Sequence, residues 1–96
     1  MSDKIDVQNV NQPGHVGRVD AAKYNAMKAA MLKVMTRDAP GHSAAEIKAA
    51  AKAHLPEDLF PGGATSGWWL KCVQLDLEAK GVIARAATKP LRFYLT

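Results

Sequence analysis

The chain is 96 residues long, 48% hydrophobic and carries a formal charge of +4. That is one globular domain rather than several, too apolar for a disordered chain and without an apolar run long enough to cross a bilayer. Its one cysteine, Cys72, excludes an internal disulfide, so the chain reads as a cytoplasmic protein whose mild positive charge allows encounter with an acidic partner.

Residues 1–19 read as an extended N-terminal arm, of which Met1 to Lys4 look dispensable. Ile5 and Val7 alternate with polar residues, a pattern that reaches Val10 and fits a short strand, and Pro13-Gly14 marks a turn. The folded domain is placed at 20–96. Asp20 is positioned to cap a first helix that ends before Ala39-Pro40-Gly41. On it Tyr24, Met27, Met31, Val34 and Met35 form an apolar stripe, with Lys28 and Lys33 outside it. The spacing Ser43-x-x-Glu46 is that of a capping box and opens a second helix to about Leu55, stopped by Pro56. Ile47, Ala51 and Leu55 face its core side, opposite Lys48 and Lys52. Leu59 and Phe60 are expected to plug the core, and Gly62-Gly63 to bend the chain. GGATSG lacks the spacing and the lysine of a phosphate-binding loop.

A third helix is expected from Thr65 or Ser66 to Lys80, ending at Gly81. At 100° per residue it has three faces. Ser66, Trp69, Leu70, Val73 and Leu77 form the core stripe. Lys71, Gln74 and Glu78 form a polar strip, and Trp68, Cys72, Leu75 and Ala79 a second apolar arc. Asp76 stands alone at the opposite seam. A hairpin of Val82–Ala87 and Leu91–Leu95 follows, Leu91, Phe93 and Leu95 turned inward and Arg92 and Tyr94 outward. The core also includes Ile83. Three helices followed by a C-terminal hairpin, with a short N-terminal strand, make an α+β fold of the winged helix-turn-helix type.

Two functions fit that order. In the first, weak DNA binding, Lys71 and Gln74 face base edges while Lys48, Lys52, Arg85, Lys89 and Arg92 neutralise phosphates. Asp76 and Glu78 would then lie near phosphates, which counts against it. In the second, the arc around Trp68 and Leu75 finds no cover from the C-terminal hairpin or the Leu59-Phe60 loop. It then serves as a homodimer or protein-partner interface. Catalysis is not expected, nor is a metal, cofactor or small-molecule substrate. His15, His42, His54 and Cys72 show no ligand spacing, and Asp76 and Glu78 point apart on one helix.

The stretches VNQPGHVGRVDAAKY, LPEDLFPGG, GWWLKCVQLDLEAKGVI and TKPLR resemble a bacterial family of small proteins known only as a domain of unknown function. The resemblance implies a free-standing cytoplasmic protein with a winged-helix-like fold and carries no activity or site residues with it. More loosely, LDLEAKGVIAR is similar to the end of the recognition helix and the start of the wing in winged-helix regulators. Those present more basic residues there than Lys71 alone.

Overall fold

The computed structural model describes residues 3–12, 14 and 16–96. Pro13 of the expected turn, the candidate ligand His15, and Met1 and Ser2 lie outside them. In place of one short strand, the N-terminal segment forms an antiparallel hairpin of β1 (Lys4–Gln8) and β2 (Val16–Asp20), with Ile5 opposite Val19 and Val7 opposite Gly17. Ile5, Val7 and Val19 pack toward the core, and Val7 is buried within it. On the outer face Arg18 Nε and Asp6 Oδ1 pair across the strands at 3.3 Å, both largely exposed.

β2 runs directly into α1 (Ala21–Val34), whose cap is Asp20, with the Lys23 N–H donating to its carboxylate at 3.2 Å. α1 packs against α2 (Ala44–Lys52) and α3 (Ser66–Ala79). The capping box at α2 forms in both directions. Glu46 N–H donates to Ser43 Oγ at 3.2 Å, and Ser43 N–H to Glu46 Oε1 at 2.9 Å. Chiefly through the Ser43 N–H, the Glu46 carboxyl is held below the usual carboxylate range. α1 and α2 end earlier than their apolar periods reach, at Val34 and Lys52.

α3 opens at Thr65, a β-branched residue held at φ +60° with no side-chain cap. Such a residue in the left-handed region stores strain of about 1–3 kcal/mol. It closes at Gly81, φ +73°, where Val82 N–H donates to Leu77 O (2.9 Å) and Gly81 N–H to Glu78 O (3.2 Å). These two bonds make a Schellman cap, which needs a residue that tolerates positive φ.

β4 (Ile83–Ala86) and β5 (Arg92–Leu95) form the C-terminal hairpin. The two-residue strand β3 (His42–Ser43), just before α2, pairs with β5, so the sheet order is β3-β5-β4. Gly41 allows β3 to reach β5. Its φ is +80°, and a Cβ there would lie 2.1 Å from the Phe93 carbonyl oxygen.

The core gathers Tyr24, Met27 and Met31 from α1, Ile47 and Ala51 from α2, and Trp69, Leu70, Val73 and Leu77 from α3. Phe60, Ile83 and Phe93 complete it, each buried side chain worth roughly 1.5–3 kcal/mol. Val34, Leu55 and Leu59 are half-buried and pack on its edge. Leu91 departs from expectation. It precedes β5, beyond the end of β3, and is 42% exposed instead of buried.

Candidate interaction surface

The outward side of α3 runs between the two hairpins. In the first turn of this helix Trp68 is 59% exposed, its ring edge-on to the buried Trp69 with centroids 4.9 Å apart. Lys71 is exposed beside it, and Leu75 and Cys72 are half-buried. Cover for the second apolar arc comes from neither the C-terminal hairpin nor the Leu59-Phe60 loop. It comes from the N-terminal hairpin, and only in part. Between them lies a groove of about 270 Å³ in which Val7, Gly17 and Val19 face Trp68, Cys72 and Leu75. Burial, then the nearby Asp76 charge, pushes the Cys72 thiol up, which disfavours the nucleophilic thiolate.

On the other flank, a groove of about 380 Å³ lies between the start of α2, α3 and the C-terminal hairpin. Leu70, Phe93, Ala44, Pro90 and Leu91 make it apolar, and Lys48 and Lys71 stand beside them. Gly67 also lines it, and a Cβ there would make an ordinary contact with the Lys48 ammonium at 3.4 Å.

Of the polar strip of α3 that the helical wheel turned to solvent, Lys71 alone is exposed. Gln74 is 2% exposed, and its Nε2 donates to Glu78 Oε1 at 2.7 Å. Glu78, its side chain 6% exposed, pairs with Arg85 at 3.0 Å. Asp76 is fully buried rather than alone at a seam. Gln8 N–H donates to its Oδ1 at 2.8 Å, Lys80 Nζ to its Oδ2 at 2.9 Å, and the Tyr24 hydroxyl to the same oxygen. One carboxylate thus joins β1, α1 and the end of α3. Burial first, then the bond to Asp76 and its charge, raises the Tyr24 phenol above its ordinary range. The sequence signal for this cluster was faint: an aspartate inside an apolar helix, four residues before a lysine and far from its tyrosine.

Of the remaining candidates, Lys48 and Lys71 come together on the groove beside the C-terminal hairpin, with Lys89 next to its Pro90, while Lys52 and Arg92 are engaged elsewhere. Lys48, Lys52, Lys71 and Lys89 are exposed, and among the described residues none of the four forms an ion pair. Lys52 runs across Gly63, where a Cβ would come within 2.7 Å of its Cε. Arg92 is already engaged, donating to Gly41 O at 3.0 Å and lying 3.5 Å from Glu46. Among the described residues no three His, Cys, Asp or Glu side chains come together as a metal site would require. No helix among them is long and apolar enough to cross a membrane.

A family model, that of a family of unknown function (DUF6958), matches residues 4–93. The chain belongs to DUF6958. No curated protein and no solved structure matches it. The stretch shared with DUF6958 takes in all three helices, the N-terminal hairpin and most of the C-terminal one, so both grooves beside α3 are built from family sequence.

Proposed function

We propose that residues 21–96 form a winged helix, with β4–β5 as its wing, and that it works as a protein-association module rather than as an enzyme or a base reader. The chain order α1-β3-α2-α3-β4-β5 with sheet order β3-β5-β4 supports the fold. The observation that carries the function is Trp68. The helix that would enter a groove of DNA presents an exposed indole in its first turn, while its one amide reader, Gln74, is buried.

The partner in this reading is a second copy of the chain. Trp68 and the groove beside Gly17 share one face, a knob next to a hole, and a two-fold axis there would seat each knob in the opposite hole. Covering the exposed part of each indole is worth roughly 3 kcal/mol, so two give roughly 6 kcal/mol against a comparable cost of association. The dimer is therefore weak and concentration-dependent. The single unpaired thiol, Cys72, suits a reducing cytoplasm, and that location is part of the same proposal. Sedimentation across a wide concentration range tests it. The wild type is expected to dimerise and Trp68→Asp to stay monomeric; a wild type that is monomeric throughout ends the self-association reading.

A second reading, weak DNA binding, gains from two findings. Asp76 is buried and Glu78 is held by Arg85, so neither opposes phosphates. Lys48, Lys71 and Lys89 on the same side as the wing would supply about three contacts, giving a slope of log affinity on log salt of about −3. Titration against mixed-sequence duplex at two salt concentrations decides it. No binding at low salt removes this reading.

A further inference from the structure

The groove between α2, α3 and the C-terminal hairpin shares Lys71 with the one beside Trp68 and is otherwise lined by different residues. Its surface is made by Leu70, Phe93, Pro90 and Leu91, and Leu91 is 42% exposed although it belongs to a run of core-forming residues. Lys48 and Lys71 stand over these apolar side chains, and Lys89 is adjacent to Pro90 in the chain. The acids nearby are already used. Glu46 accepts from Ser43 N–H and lies 3.5 Å from Arg92, and Glu78 holds Gln74 and Arg85. Two lysines therefore face an apolar slot with no carboxylate of their own to answer them.

We propose that this groove binds a protein segment whose apolar side chains fill the slot and whose acidic side chains meet Lys48 and Lys71. Charge complementarity selects the occupant. A second copy of this chain, at +4, would bring like charge to the rim, whereas an acidic segment would be steered to it. A small polar ligand would find few groups to orient it. Among the described residues no buried side-chain nitrogen or oxygen is left unpaired, and Gln74 at the base is spent on Glu78. A nucleic acid would satisfy the lysines and leave the apolar slot unfilled. The site lies on the other flank of α3 from the self-association surface and does not use Trp68, and Lys71 is the one residue that borders both grooves.

The test is fluorescence anisotropy of the full chain with three labelled probes. They are a short peptide alternating Leu and Phe with Asp and Glu, the same peptide with Lys in place of the acids, and a mixed-sequence DNA duplex. The acidic peptide is expected to bind, less tightly as salt rises, and the basic one not to bind. Leu91→Asp and Lys48→Glu each change an exposed side chain and are each expected to weaken the acidic peptide at least tenfold. Trp68→Ala, which adds no carboxylate beside Lys71, should leave it unchanged, even where the same substitution weakens self-association. The proposal is overturned by an acidic peptide that fails to bind at low salt or binds Leu91→Asp equally well. A duplex that binds more tightly than the peptide and is indifferent to Leu91→Asp also overturns it, and assigns the lysines to nucleic acid.

Discussion

Two hairpins flank α3, and they are held to the domain by different means. The C-terminal one is spread over many modest attachments. It gains a third strand from β3, buries Ile83 and Phe93, and is tied down by Arg85 to Glu78 and by Arg92 to Gly41 O. Among the described residues the N-terminal one has no third strand and one buried side chain, Val7, with Ile5 and Val19 half-buried at the core edge. Its Gln8 N–H reaches the carboxylate of Asp76. A hairpin whose attachment is concentrated at one buried charge should detach as a unit, and one with distributed attachment should loosen gradually.

The largest test of this contrast is Asp76→Ala. It strands the Tyr24 hydroxyl and the Gln8 N–H and leaves Lys80 without its partner, at a cost of about 4 kcal/mol in urea unfolding. Hydrogen exchange should then speed up across residues 4–8 and 16–20 while β4 and β5 keep their protection. Equal loss in both hairpins would break the contrast. Gly41→Ala is the converse, with a smaller effect of about 3 kcal/mol, because a Cβ at φ +80° runs into the Phe93 carbonyl. Here β5 should lose protection first and β1 should keep it.

The smallest effect sharpens the same picture through pH. The Tyr24 phenol is raised in the folded state from an ordinary value of 10.0, so its contribution is fully present below that value and is lost as pH rises beyond it. Between about pH 9 and about pH 11 the wild type should lose about 1 kcal/mol more than Tyr24→Phe. Parallel curves for the two proteins would show that the hydroxyl is not held as described.

The features legible in the sequence are those made by neighbours in the chain. Asp20 reaches the N–H three residues on, Ser43 and Glu46 close on each other, and Gly81 terminates α3 with bonds back into its last turn. The helical stripes were legible for the same reason and yielded most of the core. What the pattern hid depends on distant segments. Asp76 is bonded by residues 52 and 68 positions away, so nothing beside it announces burial. Gln74 shares its angular position with Lys71 and Glu78, but the start of α2 and the C-terminal hairpin close over that side. Leu91 keeps the alternation of Phe93 and Leu95, yet it sits past the end of β3 and nothing covers it. For the candidate surface, Trp68 and Leu75 were legible as an arc in want of cover. Its partial cover was not, because the N-terminal hairpin has Gly17 where a larger side chain would have declared a contact.

The edge-on pair of Trp68 and Trp69 gives the molecule a built-in optical gauge. Two fluorophores, adjacent in sequence, differ in their access to solvent, so a soluble quencher such as iodide reaches one and spares the other. Shielding of the accessible indole would register occupancy beside the first turn of α3 without any label, while the screened neighbour supplies an internal reference for the integrity of the interior.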